Sequence, residues 1–148
     1  LLITGASGFV GKWLLASWIT AREEFGARGH LTCLSRRPSA YPETLHRDAL
    51  RAGVEFRFVD IRSLPTQSDL QAVHWLIHAA TPTTLGLSPA ALEETVTNIL
   101  DGQRAVIDFS SKNHITRVLF LSSGAVYGTQ LFECDGHSGR TLGSEPQH

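Results

Sequence analysis

Three glycines close together near the start of the chain form the first candidate site. Gly5, Gly8 and Gly11 lie between a short apolar run and an amphipathic stretch, in the sequence TGASGFVGKW. A tight turn favours residues without a Cβ atom, which also let the backbone approach a ligand closely. The first N–H groups of a helix have no partner within the helix and carry partial positive charge. The pattern therefore indicates an anion site suited to a pyrophosphate, with a plain glycine-rich turn as the competing interpretation.

Strands and helices alternate around this corner. Apolar runs rich in β-forming residues predict strands at 1–4, 30–35, 54–61, 73–80 and 117–123. Apolar spacings of three and four, together with polar connecting stretches, predict helices at 9–25, about 42–52, 65–70 and 89–112. This alternation predicts an α/β fold, a Rossmann-like doubly wound parallel sheet with helices on both faces. Ligands in such sheets bind beyond the carboxyl ends of the strands, where the strand order reverses.

Two of the predicted helices carry further signals. In helix 9–25 the apolar residues of one face are Val10, Leu14, Trp18, Ala21 and Phe25. The longest helix has Ser88 in the N-cap position and Pro89 in the first helical position, which is the preferred order of these residue types.

Several of these stretches resemble one enzyme family. TGASGFVG is similar to the cofactor loop of the extended short-chain dehydrogenase/reductase family, which comprises NAD(P)-dependent epimerases, dehydratases and reductases. HAA at 78–80 resembles the family's "HxAA" signature, NILDG at 98–102 its asparagine–glycine element, and SSGAVYG at 122–128 its "SS-x-x-VYG" motif. The resemblance extends to about residue 128. It implies an NAD(P)-binding Rossmann domain over 1–128, followed at 129–148 by an irregular loop.

The resemblance implies a dinucleotide-binding role for residues on each of these elements. Asp60 would accept a hydrogen bond from the adenine amine and Ile61 would pack on the ring, although Asp60 could instead be a simple helix cap. Asn98 would tie its helix to the neighbouring strands, and a purely structural role is the competing interpretation for this residue. The other implied cofactor-binding residues are Gly5, Ala6, Ser7, Gly8, Phe9, Val10, Gly11, Ala79, Ala80, Thr81 and Ser122.

Two arginines follow the second predicted strand. Arg36 and Arg37 stand where an NAD-preferring site would have a carboxylate for the ribose hydroxyls. Guanidinium groups instead form paired, charge-assisted hydrogen bonds with phosphate. The pair predicts NADP as the cofactor, with NAD as the alternative, and a solvated basic turn is the competing interpretation.

The catalytic prediction rests on Ser123. The resemblance implies that its hydroxyl hydrogen-bonds the reacting carbonyl or alcohol of the substrate. The family's proton donor is a tyrosine in Tyr-x-x-x-Lys, and neither Tyr41 nor Tyr127 has a lysine four residues later. We therefore expect the sequence to be a piece of a longer enzyme, truncated at both ends and inactive alone. The absence of methionine supports that expectation.

Composition restricts the class of protein. The 148 residues include 13 basic and 14 acidic side chains, so charge gives no reason to expect nucleic acid or a membrane as partner. Glycines and Lys12 interrupt the apolar start, and no apolar run approaches the roughly 18–20 residues of a membrane span, so we expect neither a signal peptide nor an anchor. Cys33 and Cys134 form no CxxC pair, which favours a cytoplasmic protein. His74 and His78 lie in a predicted strand without a further ligand nearby, so we expect no metal site.

Three functions remain open at this point. The first is the oxidoreductase, epimerase or dehydratase described above, acting on a small-molecule substrate for which a nucleotide-sugar, a flavonoid-like ketone and a steroid are all candidates. The second is a dinucleotide sensor without catalysis, against which Ser123 argues. The third is a phosphate-binding structural domain. A homodimer through the helix at 89–112 also stays open.

Overall fold

A computed structural model describes residues 1–37, 41–66, 70, 72–81 and 88–123. The strands are β1 (Leu2–Thr4), β2 (Thr32–Ser35), β3 (Glu55–Phe58), β4 (Trp75–His78) and β5 (Arg117–Phe120). The helices are α1 (Phe9–Phe25), α2 (Glu43–Arg51) and α3 (Pro89–Lys112), and a 3-10 segment spans Ile61–Thr66. The predicted residues 129–148, Tyr127 and Cys134 lie outside the described residues.

The five strands form one parallel sheet in the order β3-β2-β1-β4-β5. Leu2 pairs with Thr32 on one side and with Leu76 on the other, so β1 is the central strand. The chain first builds the sheet outward from β1 to β3 and then returns to build β4 and β5 on the other side. The strand order therefore reverses between β1 and β4, where such sheets bind their ligands.

Each face of the sheet has its own core. Ile3, Cys33 and Leu15 belong to the core beneath α1 and α2. Leu2, Leu76 and Phe109, with Leu34 and Val106, form the core beneath α3. Neighbouring residues of a strand point to opposite faces, so the consecutive pair Leu2 and Ile3 divides between the two cores. The prediction of a Rossmann-like sheet with helices on both faces is confirmed.

The loop after β3 differs from the predicted one. The strand ends at Phe58 rather than Ile61, and a 3-10 segment follows over Ile61–Thr66. Of the helix predicted at 65–70, residues 65 and 66 end this segment, and 67–69 lie outside the described residues. The reason for the early end of the strand is the Asp60 carboxylate, whose Oδ1 accepts the Arg62 backbone N–H at 2.9 Å. The Asp60 carbonyl also accepts the Ser63 N–H at 2.9 Å, which closes the first turn. Local side-chain bonding of this kind ends the strand early.

Helix α1 is confirmed, but its predicted apolar face is not the buried one. Gly11, Leu15 and Ile19 are the buried residues of this helix. Val10 and Phe25 are exposed, whereas Leu14 and Trp18 pack at the edge of the core. Gly11 has no side chain, so it does not appear in the apolar pattern of the sequence. The predicted face is therefore shifted by one residue from the buried face.

The predicted start of α3 is confirmed. The Ala91 N–H donates to Ser88 Oγ at 3.3 Å, and Pro89 occupies the first helical turn. Among the described helices, α3 included, none combines the length and apolar character needed to cross a bilayer.

Candidate functional site

A cleft of about 360 Å³ opens at the carboxyl ends of the strands, at the point where the strand order reverses. This volume lies within the usual range for ligand sites, ~300–1,000 Å³. Strand ends and the loops after them supply most of its walls, and α3 closes one side. The cleft is lined by Thr4, Gly5, Ser7, Gly8, Leu34, Ser35, Arg36, Val59, Asp60, Ile61, Arg62, Ala79, Ala80, Thr81, Thr95 and Asn98.

Gly5 makes the turn out of β1. Its φ of 70° lies in the left-handed region, and its N–H donates to the Leu34 carbonyl at 3.0 Å. A Cβ atom at this position would lie 2.5 Å from the carbonyl oxygen of Ala79. Both the backbone conformation and the space therefore require glycine, because only glycine lets β1 and the loop after β4 approach so closely.

The other two glycines have different roles from Gly5. Gly8 is the N-cap of α1 with an extended backbone, at φ −72° and ψ 176°. Gly11 lies within the helix, where a Cβ atom would collide with the Gly5 carbonyl oxygen and lie 2.6 Å from the Ala6 Cα. Gly11 thus lets the helix pack directly on the turn, and positive φ is required at Gly5 but not at Gly8 or Gly11.

The amino end of α1 lies at the cleft, because its N-cap Gly8 is one of the lining residues. No described side chain caps this helix, and its first turn contains no acidic residue. The first N–H groups of such a helix need an outside acceptor, and the helix dipole favours an anion there. With Gly5, Ser7 and Gly8 on the cleft wall, the corner has the properties of an anion site.

A buried polar pair joins the two strands below this corner. Thr4 Oγ1 and His78 Nδ1 lie 2.7 Å apart, and both residues are buried. The His78 ring meets Phe120 of β5 edge-on, with ring centroids 5.5 Å apart. Burial lowers the pKa of His78, so the ring favours its neutral form and the pair acts as a fixed support for the reversal point.

The end of β2 supplies the basic side of the cleft. Arg36 and the buried Ser35 line it, whereas the described cleft wall does not include Arg37. The Ser35 carbonyl accepts the Val59 N–H at 3.0 Å, which aligns the ends of β2 and β3. Arg36 also contributes to the low pKa of Asp60, so its positive charge acts on the same part of the cleft.

Beyond β3, Asp60 forms a two-pronged ion pair with Arg62. Arg62 Nε donates to Asp60 Oδ1 and Arg62 Nη2 donates to Oδ2, each at 2.9 Å. The hydrogen bonds from Arg62, more than its charge, lower the pKa of Asp60 to about 2. Arg62 Nη1 donates to Asn98 Oδ1 of α3 at 2.9 Å, so Asn98 is bonded to a side chain here rather than to neighbouring strands.

The structure gathers many of the predicted cofactor residues at the cleft and leaves others away from it. The predicted residues on its wall are Gly5, Ser7, Gly8, Arg36, Asp60, Ile61, Ala79, Ala80, Thr81 and Asn98. Ala6 and Gly11 are buried beneath the corner, whereas Phe9 and Val10 are exposed on α1. Arg37 and Ser122 are exposed and are not among the residues that line it.

Six residues of the cleft wall were not predicted from the sequence. Arg62 is the most prominent of them, and the Asp-x-Arg spacing at 60–62 was the available signal for it. The others are Thr4, Leu34, Ser35, Val59 and Thr95. Most of these are sequence neighbours of a predicted residue at a strand end. Their position in the chain, rather than their residue type, would have identified them.

Ser123 lies three residues beyond β5. The strand ends at Phe120, and the Leu121 N–H donates to the His78 carbonyl at 3.0 Å, which keeps the chain beside β4. Ser122 and Ser123 are exposed and lie outside the cleft wall. Within the described ranges, no three His, Cys, Asp or Glu side chains come together as a metal site.

Comparison with known proteins adds a family and a set of similar folds. Residues 1–144 match the model of the NAD dependent epimerase/dehydratase family. No protein of curated function matches the sequence at a significant level.

Solved structures share this fold at low sequence identity. UDP-glucose 4-epimerase from Bifidobacterium longum, in complex with NAD+ and UDP, is 22% identical with a TM-score of 0.69, over 90% of this chain and 41% of that one. DesIV, a dTDP-glucose 4,6-dehydratase from Streptomyces venezuelae with NAD and TYD bound, is 19% identical with a TM-score of 0.70, over 87% and 41%. The reductase domain of the aureusimine biosynthetic cluster is 21% identical with a TM-score of 0.56, over 97% and 41%. The chain thus spans about 41% of the length of these three proteins.

Proposed function

The chain belongs to the NAD dependent epimerase/dehydratase family, and we propose that its cleft binds a nicotinamide dinucleotide, NADP in preference to NAD. The observation that carries the proposal is the glycine corner. A Cβ atom at Gly5 or Gly11 would collide with neighbouring backbone, and the helix that starts beside them has no acidic residue in its first turn. This combination of a bare backbone and an uncapped helix end fits a pyrophosphate.

With the pyrophosphate at the glycine corner, the two halves of the dinucleotide would lie on the two sides of the cleft. On the β2–β3 side, Asp60 and Ile61 would hold the adenine, and Arg36 would bind a phosphate on the adenosine ribose. On the β4 side, Ala79, Ala80 and Thr81 present small side chains along which the nicotinamide half would lie. Ala6, Phe9, Val10, Gly11, Arg37 and Ser122 would act from outside the described cleft wall.

The parent reaction is an oxidoreduction of the family's kind. The bound nicotinamide would supply hydride transfer at a substrate carbon that bears oxygen. Ser123 would hydrogen-bond that oxygen and so orient it. We expect the 148 residues alone to bind cofactor without turnover, because the sequence contains no Tyr-x-x-x-Lys.

The substrate proposal is a small molecule of the nucleotide-sugar class. The Bifidobacterium longum epimerase structure contains UDP and the DesIV structure contains TYD, and both proteins share this fold. We also propose that the parent protein is cytoplasmic and forms a homodimer.

Calorimetric titration of the chain with NADP+ and with NAD+ tests the cofactor assignment. We expect NADP+ to bind at least tenfold more tightly, a difference of about 1.4 kcal/mol. Arg36→Ala should remove that preference by weakening NADP+ binding while leaving NAD+ binding within a factor of three. Arg37→Ala should have a smaller effect, because Arg37 is not among the residues on the cleft wall.

Arg51→Ala is the matched control, since Arg51 is an exposed arginine of α2 that pairs with Asp48. It should leave both affinities unchanged. Tighter binding of NAD+ would refute the role of Arg36 and keep the dinucleotide site. Failure of both dinucleotides to bind would refute the site itself.

A further inference from the structure

Arg62 connects three parts of the cleft through one side chain. It lies at the start of the 3-10 segment, where it pairs with both oxygens of Asp60. Its remaining terminal nitrogen reaches across to Asn98 on α3 at 2.9 Å. All three side chains line the cleft, so this network is part of its wall.

Ordinary surface ion pairs contribute little to stability. This pair differs in geometry, since the guanidinium meets the carboxylate with two parallel hydrogen bonds and is itself held by a third group. Such a fork fixes the direction of the carboxylate, which a lysine could not do with a single rotating ammonium group. The network therefore restricts Asp60 to one orientation in the cleft.

The orientation leaves few acceptor positions on Asp60. A carboxylate has about four lone-pair sites. On Oδ1, the Arg62 backbone N–H and the Arg62 Nε occupy two of them, and on Oδ2 the Arg62 Nη2 occupies one. One acceptor site on Oδ2 remains for an outside donor, which matches one N–H of an exocyclic amine.

Resting on the dinucleotide site proposed above, we propose that Arg62 is a positioning residue that makes the cleft select adenine over bases without the amine. It does so by holding Asp60 with a single free acceptor at Oδ2. The Asn98 oxygen is occupied by Arg62, so the amide NH2 of Asn98 is left to donate to other groups. Hypoxanthine carries an oxygen in place of the adenine amine and would face the Asp60 carboxylate with a second acceptor.

The test compares the better-bound dinucleotide with its hypoxanthine analogue in the wild-type chain, Arg62→Ala and Arg62→Lys. We expect the wild type to bind the adenine form at least tenfold more tightly, and both variants to reduce that ratio below threefold. Arg104→Ala is the control, because Arg104 forms an ordinary exposed pair with Asp101, a single contact of 3.3 Å on α3 outside the cleft wall. It should keep the wild-type ratio.

The ratio separates positioning from general support of the fold, since a merely structural role would weaken both analogues alike. Arg62→Lys keeps the positive charge, so it provides the measurement if Arg62→Ala fails to fold by circular dichroism. An unchanged ratio in a folded variant, or a wild-type ratio near one, would overturn the inference and leave the dinucleotide site standing. Absence of wild-type binding to either form would refute the proposed function, and the inference with it.

Discussion

The centre of the sheet and its β5 edge belong to the same sheet but differ in how far the described residues bury their side chains. In β1, Leu2, Ile3 and Thr4 are all buried between two cores. In β5, Val118, Leu119 and Phe120 are exposed, although they alternate between the two faces of the same sheet. The strand that leads to the glycine corner is therefore fixed by its neighbours, whereas the strand that leads to Ser123 is covered much less.

This difference separates the two halves of the candidate site. The glycine corner and Arg36 follow β1 and β2, whose residues are all buried, and the Asp60–Arg62 pair follows the half-buried edge strand β3. The predicted reactive end rests on β5, whose apolar side chains the described residues leave exposed. We infer that cofactor binding and stability depend mainly on the centre of the sheet, and three changes to the chain test this contrast.

The largest effect is expected from truncating a core leucine. Leu15 is completely buried on the inner face of α1, so Leu15→Ala should lower the free energy of unfolding by about 2–5 kcal/mol. Leu119 of β5 is 54% exposed, so Leu119→Ala should cost less than about 1 kcal/mol. Urea denaturation of both variants measures the difference, provided that the slope of the transition is unchanged. Equal costs would show that β5 is as well covered as the centre, and the comparison would fail.

A smaller but more specific effect is expected at the glycine corner. Gly5→Ala places a left-handed residue against the Ala79 backbone, with the new Cβ atom 2.5 Å from a carbonyl oxygen. Gly53→Ala is the matched control, because Gly53 has a similar φ of 75° but open space around it. The control should cost about 1 kcal/mol from backbone strain alone, and Gly5→Ala at least ~1 kcal/mol more from the backbone overlap.

The same two variants also test the site. Gly5→Ala should weaken NADP+ binding in the calorimetric titration, whereas Gly53→Ala should bind as the wild type does, since Gly53 is outside the cleft wall. Equal costs in stability would show that the loop after β4 can move away from Gly5. The close approach of these two segments would then no longer explain the glycine.

The glycine corner was predictable because the backbone of this turn requires glycine, and glycine can be read directly from the sequence. The parallel sheet was predictable for a similar reason, since strands such as 73–80 are nearly continuous in apolar character, as a strand covered on both faces should be. Helix α1 shows where this reasoning stops. Its exposed side carries Phe9, Trp13 and Phe25, so hydrophobicity alone points away from the face that Gly11, Leu15 and Ile19 bury.

Arg62 shows a second limit. Asp60 and Asn98 are separated by 38 positions in the sequence. The Asp-x-Arg spacing signals the pairing of Arg62 with Asp60, but nothing in either segment reveals that the same guanidinium reaches Asn98. Exposed arginines are common, and only the arrangement in space distinguishes this one from Arg104. Contacts between an element and a distant one depend on packing, which residue spacing does not encode.

The smallest expected effect concerns pH and the boundary between the two regions. His78 lies at this boundary, because it bonds Thr4 of β1 and contacts Phe120 of β5. Burial lowers its pKa in the folded chain below the unfolded value of about 6.5. As pH falls below that value, the unfolded chain takes up a proton that the folded chain resists, so stability decreases. Above it, both forms are neutral and the contribution is constant.

His78→Gln should therefore flatten the fall in melting temperature between about pH 7 and pH 5, where the unfolded histidine titrates. His114→Asn is the control, since His114 is exposed and its φ of 52° is one that asparagine tolerates, and it should leave the pH dependence intact. If His78→Gln keeps the wild-type slope, the ring is accessible enough to be protonated while the chain stays folded. The Thr4–His78 pair would then be less well buried on its β5 side than the packing indicates. The boundary between the well-packed centre and the exposed β5 edge would lie closer to β1.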